Sequence, residues 1–126
     1  MQPTIAIVDD NPADGEMLHT LLGLKSYSVQ LFRSGAELLA AFRKNSFNLI
    51  IMDLAMPDID GYELCRKVRE ISPDIPIVAM SALAYPADQE RALGFGFSHF
   101  ASKPILDIDH FLQKISHLLH GASQSG

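Results

Sequence analysis

The chain has 126 residues, 48% of them hydrophobic, a formal charge of -5 at pH 7 and one cysteine, Cys65. That length suits one domain with a real core, and one cysteine excludes an intramolecular disulfide. The acidic balance gives no basic footprint for nucleic acid, no apolar run approaches the roughly 18 residues of a membrane span, and no charged-then-apolar leader precedes the first strand pattern, so the expected location is the cytoplasm, away from membranes.

Thr4 to Val8 is a nearly continuous apolar run, as in a strand buried on both faces. Asn11-Pro12 opens a helix by capping and a first-turn proline, with Asp14 three residues past Asn11. Met17, Leu18, Leu21, Leu22 and Lys25 fit one face of it. Ser28 to Phe32 alternates, which predicts an edge strand. Ser34-Gly35-Ala36-Glu37 is a capping box, starting a helix with Leu38, Leu39 and Phe42. Asn48 to Met52 is the next buried strand, and Asp53 to Gly61 is a loop rich in Pro, Asp and Gly. A helix follows from Tyr62 to about Glu70, and Ser72-Pro73-Asp74 breaks the chain. Ile75 to Met80 is the fourth strand. Pro86 begins a helix to about Leu93, ended by Gly94 and Gly96. Ser98 to Ala101 is a short fifth strand, and a last helix spans about Asp107 to Leu119 with apolar residues at the 3.6 period. Residues 1–120 thus read as one domain, and Gly121 to Gly126 as a disordered tail or linker stub.

Five strand–helix repeats imply right-handed crossovers and a parallel sheet covered on both faces, an α/β doubly wound fold. The weak burial signal of Ser28 to Phe32 suits an edge and the strand order 2-1-3-4-5, with a cleft between strands 1 and 3. Polar signals follow four of the strands: Asp9-Asp10, Asp53, Ser81 and Lys103. Ligands in such sheets bind beyond the carboxyl ends of the strands, so three carboxylates, a hydroxyl and an ammonium should meet there. Crowded carboxylates repel unless a cation intervenes, and Mg²⁺ is the natural hard ion. Asp53 could then attack phosphorus as a carboxylate nucleophile. The ion, Lys103, the Ser81 hydroxyl and a backbone N–H after it would share the phosphoryl oxygens.

At these residues the chain resembles the receiver domains of bacterial two-component response regulators. Asp9-Asp10 matches the acidic pair, Asp53-Leu54-Ala55-Met56-Pro57-Asp58-Ile59-Asp60-Gly61 the phospho-acceptor loop, Ser81-Ala82 the Thr/Ser-Ala signal, and Lys103-Pro104 the lysine and its proline. The resemblance spans about residues 3 to 120 and implies a flavodoxin-like (βα)5 fold. It implies that Asp53 accepts a phosphoryl group from a histidine kinase or histidine phosphotransfer protein. Asp9, Asp10, Asp53 and the carbonyl of Ala55 would bind Mg²⁺, with Mn²⁺ as a substitute. Ser81 would swing toward the phosphoryl group, the backbone at Ala82 would bind it, and Phe100 would be the aromatic that reports the swing. The Lys103–Pro104 peptide would often be cis. A downstream partner would use the face of the fourth and fifth helices. Ser81 replaces the commoner Thr, Phe97 stands where Ala is usual, and His99 where an acidic or small residue is common.

Plainer readings stand beside these. Asp9-Asp10 could be a helix cap, Asp53 and Ser81 turn residues, and Lys103 a surface charge. Asp58 and Asp60 read as loop formers rather than ligands. Cys65, beside Leu64 and Val68, reads as a small buried hydrophobe. His110, His117 and His120 share the last helix, where interaction of the last two with the helix C-terminus is simpler than a metal site. Phe95, Phe97 and Phe100 are either ordinary core or an apolar partner patch. A Mg²⁺-dependent aspartyl-phosphate phosphatase would place a second acid two residues after the nucleophile, where Ala55 stands. A docking module without phosphorylation, and flavin binding, are the remaining alternatives. A single-domain receiver and a segment of a larger regulator or hybrid kinase read alike here.

Overall fold

The computed structural model describes residues 2–43 and 46–124. Strand and helix alternate strictly: β1 (Thr4–Val8), α1 (Pro12–Gly23), β2 (Ser28–Phe32), α2 (Gly35–Ala41), β3 (Leu49–Asp53), α3 (Gly61–Ile71), β4 (Ile77–Ser81), α4 (Pro86–Phe95), β5 (His99–Ser102) and α5 (Ile108–Gln124). The five strands form one sheet in the order β2-β1-β3-β4-β5, every pair parallel. This is the doubly wound arrangement and strand order expected from the alternation.

The period of two along each strand divides the core. Ala6, Val8, Ile50, Met52, Ile77 and Ala79 face one layer, where Leu38 of α2, Leu64, Cys65 and Val68 of α3 and Ala92 of α4 pack. Ile5, Ile7, Leu49, Ile51, Val78 and Met80 face the other, against Leu18 and Leu22 of α1 and Phe111, Leu112 and Ile115 of α5. β3 and β4 are buried along their whole length, whereas β2 is largely exposed, as an edge strand is. Cys65 is fully buried in the first layer. Its thiol is pushed up by burial and pulled back only partly by Arg69, so it stays an inert core thiol.

Several boundaries differ from the pattern-based ones. β3, β4 and β5 each end one residue later than the apolar runs, at Asp53, Ser81 and Ser102, because backbone pairing ignores side-chain polarity. On α1, Leu18 and Leu22 are buried but Met17 is 38% exposed, so the apolar face is narrower than the sequence suggests. α4 runs on to Phe95, and the capping Gly96 has φ 137°, a conformation that favours glycine. α5 continues to Gln124 rather than ending near Leu119, so its backbone passes through most of the segment that reads as a tail. Ser125 and Gly126 lie outside the described residues.

Candidate functional site

The same period of two that sorts the core also aims the polar residues at the carboxyl ends. Asp9 continues the series Ile5, Ile7, and Asp53 the series Leu49, Ile51, so both carboxylates lean to the α1–α5 side. Register then sets them side by side, since Val8 pairs with Met52 and Asp53 with Met80. Carboxylate oxygens of Asp9, Asp10 and Asp53 lie within 4.8 Å of one another. Lys103, just past β5, sends its ammonium back to them. Its Nζ lies 2.9 Å from Asp53 Oδ2, 3.1 Å from Asp9 Oδ2 and 2.9 Å from Asp14 Oδ2. The Lys103–Pro104 peptide is cis.

The other carboxylate oxygens are held by the backbone. The N–H of Asn11 donates to Asp9 Oδ1 at 2.9 Å, and that of Ala55 to Asp53 Oδ1 at 3.0 Å. These bonds fix both side chains before any ligand arrives. Above them opens a cavity of about 350 Å³, lined by Asp14, Asp53, Ala55, Ala82, Lys103 and Pro104.

The loop after β3 is built to present Asp53. The N–H of Gly61 donates to the carbonyl of Leu54 at 3.2 Å, folding the loop back on its own origin. A Cβ at Gly61 would stand 2.7 Å from Leu54 Cα and 3.1 Å from the carbonyl oxygen of Asp53, so only glycine fits without displacement. Asp60 caps α3 through the N–H of Tyr62. Asp58 reaches 22 and 23 residues back to accept from the N–H groups of Ala36 and Gly35, which opens α2. Those helical donors hold its carboxyl below the usual range. Both aspartates thus form the loop, and Asp58 also ties it to a second helix.

Negative charge is in excess, with the carboxylates of Asp9, Asp10, Asp14 and Asp53 gathered near one ammonium. Burial pushes the Asp9 carboxyl up, the Asn11 amide and Lys103 pull it down, and the neighbouring Asp53 adds to the rise. Burial would lower Lys103, but the hydrogen bonds to Asp53, Asp14 and Asp9 outweigh it and hold the ammonium above the ordinary lysine range. The donor set suits a hard divalent cation, being oxygen only and rich in carboxylate.

Ala55 and Ala82 border the cavity with Asp53 and Lys103. Ser81 falls on the opposite side of the sheet, following Ile77 and Ala79, and its Oγ accepts from the N–H of Leu83 at 3.0 Å. It is not among the residues lining the cavity. Phe100 is 7% exposed and packs in the core layer of α2, α3 and α4. Of the aromatic trio, Phe97 and Phe100 are core, while Phe95 is 47% exposed and meets Tyr62 edge-on at 5.1 Å. His110 and His117 border an open surface depression with Gln113 and Lys114. Asp14 is the residue that the sequence did not single out. Its signal was there, as the third residue of a helix whose first turn adjoins the strand ends, but it reads equally as a first-turn acid that suits the helix dipole.

This is a doubly wound α/β domain with an acid–lysine pocket at the carboxyl edge of its sheet. The response regulator receiver domain model matches residues 5–116, and the chain belongs to that family, a component of two-component signal transduction. It is 35% identical over 104 residues to the signal transduction histidine-protein kinase BarA of Escherichia coli K12, covering 81% of this chain and 11% of the kinase. It is 39% identical over 103 residues to the probable transcriptional regulator ycf27 of Cyanidium caldarium, covering 82% of this chain and 41% of the regulator. The chain thus spans about a tenth of the kinase it resembles and under half of the regulator. Among solved structures, a CheY-like receiver domain from Methanospirillum hungatei superposes over 100% of both chains with TM-score 0.89 and 26% identity. The non-phosphorylated HemR receiver domain from Leptospira biflexa does so over 94% of each, with TM-score 0.85 and 27% identity. Receiver domains generally use Mg²⁺, and the Asp9, Asp10 and Asp53 cluster is where this chain could hold it. No helix among the described residues is long and apolar enough to cross a membrane.

Proposed function

We propose that Asp53 accepts a phosphoryl group from a phosphohistidine donor, a histidine kinase or a histidine phosphotransfer protein, and that the new charge alters partner binding at a distant face. The observation that carries this reading is the Lys103 ammonium bridging Asp53 and Asp9 beside a three-carboxylate cluster. A carboxylate oxygen of Asp53 forms the bond to phosphorus as the bond from phosphorus to the donor imidazole breaks. The electron pair returns to the imidazole nitrogen. Lys103, already at Asp53 Oδ2, is placed to donate to a phosphoryl oxygen. The N–H of Ala55 keeps the Asp53 side chain oriented during attack. Asp9, Asp10, Asp53 and the carbonyl of Ala55 would hold Mg²⁺, or Mn²⁺ in its place. When bound, the ion supplies positive charge that lets these acids stay ionised together and offsets charge on the phosphoryl oxygens. Ala55, bordering the cavity, has no acid to protonate a leaving alcohol, which supports a stable acceptor over a turnover phosphatase.

Ser81 and Phe100 are the proposed couplers to the partner face. The Ser81 hydroxyl is held by the Leu83 N–H, and it would leave that donor to meet a phosphoryl oxygen beside the backbone of Ala82. The partner face is supported by its chemistry. Leu83, Tyr85, Leu93, Phe95, Leu106 and Ile108 are all large, apolar and exposed, and all fall between β4 and the start of α5. A groove of about 350 Å³ runs there, bordered by Gln89 of α4, Phe100 of β5, Leu106 in the segment before α5, and His110 of α5. As is typical of receiver domains, the proposed location is the cytoplasm. The test is Mg²⁺-dependent labelling by a phosphohistidine donor or a small acyl phosphate, located by mass spectrometry. Label should sit on Asp53 and vanish in Asp53→Asn and on chelation of divalent cations. Undiminished label in Asp53→Asn would refute the acceptor.

A further inference from the structure

An ammonium has three N–H donors, and in this structure three carboxylate oxygens stand around Lys103. Asp53 and Asp14 lie at 2.9 Å and Asp9 at 3.1 Å. A phosphoryl oxygen arriving at Asp53 therefore needs a donor that is already engaged, and one partner has to yield. Asp9 is ill suited to move, since its side chain is 3% exposed and its second oxygen is held by the Asn11 N–H. Asp53 is the acceptor itself, and until its bond to phosphorus has formed it is still a carboxylate holding one of the three donors. Asp14 is the most exposed of the three at 35%, and it lines the cavity through which a donor reaches Asp53. Rotation of its side chain returns it to water at little cost.

We infer that Asp14 is a positioning residue that occupies Lys103 before phosphorylation and yields it afterwards, so that its charge sets the rate at which small anionic donors phosphorylate Asp53. The inference rests on the reading of Asp53 as acceptor. Two effects act in the same direction. Asp14 holds a donor that the incoming phosphoryl oxygen requires, and its negative charge at the cavity mouth repels an anionic phosphodonor. Replacing the carboxylate by an amide of the same shape removes the charge and leaves only a weaker, neutral acceptor for Lys103, while the fold, set by the two apolar layers, is untouched.

The test measures the Mg²⁺-dependent phosphorylation rate of the whole chain by a small acyl phosphate, in wild type, Asp14→Asn and Asp14→Glu. A small donor removes any contribution from contacts between a donor protein and the Asp14 side chain. Asp14→Asn should react about threefold to tenfold faster at low ionic strength, and the gain should shrink toward unity near 1 M salt, where screening reaches about 3 Å. Asp14→Glu, which keeps the charge, should stay near the wild-type rate. An Asp14→Asn rate equal to or below wild type, or an equal acceleration by Asp14→Glu, overturns the inference. Failure of wild type to take label on Asp53 would instead overturn the acceptor assignment, so the two failures are distinguishable.

Discussion

Four carboxylates, from Asp9, Asp10, Asp14 and Asp53, gather near one ammonium, so Lys103 is the residue whose loss the site should tolerate least. Replacing it by Met keeps the stem but leaves buried Asp9 and Asp53 facing each other uncompensated. Breaking a buried pair is costly, and solvent at the cavity mouth softens the cost to on the order of 2 kcal/mol. Lys103→Met should therefore melt about 5–10 °C lower without divalent cations. Added Mg²⁺ should recover part of that by binding only the folded cluster. Calorimetry with and without the ion checks both; an unchanged melting point would mean that the acids relax apart freely. His99 offers a separate residue-scale test on β5. Burial, with Lys114 and His110 nearby, lowers the affinity of its imidazole for a proton. The unfolded chain then takes up the proton first, near pH 6.5. The stability contribution of His99 is full above that value and is lost as pH falls through its depressed folded value. Between pH 7.5 and 5 the wild-type melting temperature should fall more steeply than that of His99→Gln, and parallel curves would contradict the half-buried, neutral imidazole.

At the scale of elements, the acceptor loop is held at both ends by contacts that leave little room. Gly61 must be bare because Leu54 Cα would lie 2.7 Å from any Cβ there. Gly61→Ala should shift the backbone that follows Asp53 and cost about 1–3 kcal/mol, read as a lower denaturant midpoint together with slower labelling of Asp53. A neutral result would show a loop soft enough to absorb a methyl group. Asp58 acts at longer range, and Asp58→Ala should speed amide exchange at Gly35 and Ala36 while the local cap, Ser34 Oγ to the Glu37 N–H at 3.1 Å, persists. The sequence made the element order and the edge strand legible because all-apolar runs and alternating runs differ in period. It also made the acid pair, acceptor and lysine legible, since each directly follows a run that reads as a strand. It did not show where strands stop, because Asp53, Ser81 and Ser102 pair through backbone groups. Nor did it show what Asp14 and Asp58 touch, since those partners lie 89 residues ahead and about 22 residues back. The capping box was legible only in part: Glu37 accepts from the N–H of Arg33 rather than that of Ser34.

Across the whole molecule, phosphorylation adds about -1.5 to -2 charge at one edge of the sheet, and the exposed apolar face it should influence lies along α4, β5 and the start of α5. Two strands join these places. β4 ends at Ser81 and β5 carries Phe100, and their register pairs Ala79 with Phe100 and Ser81 with Ser102. Movement of Ser81 from the Leu83 N–H toward the phosphoryl group would free the chain leading into α4, and leave space beside β4 that Phe100 senses from the next strand. The charge alone cannot carry the effect far, since screening at physiological salt limits it to about 8 Å; a packed two-state element is needed. Ser81→Ala separates charge from movement. It keeps Asp53, Lys103 and the acid cluster, so labelling should persist, slowed by the loss of one hydrogen bond to the phosphoryl group. In wild type, phosphorylation should shift the backbone amide resonances of Leu83, Tyr85, Leu93 and Phe100. In phosphorylated Ser81→Ala those shifts should largely disappear, while residues 53–55 still report the modification. Equal shifts at the α4 residues in both proteins would mean that the signal travels by another route and that the Ser81 hydroxyl serves the phosphoryl pocket alone.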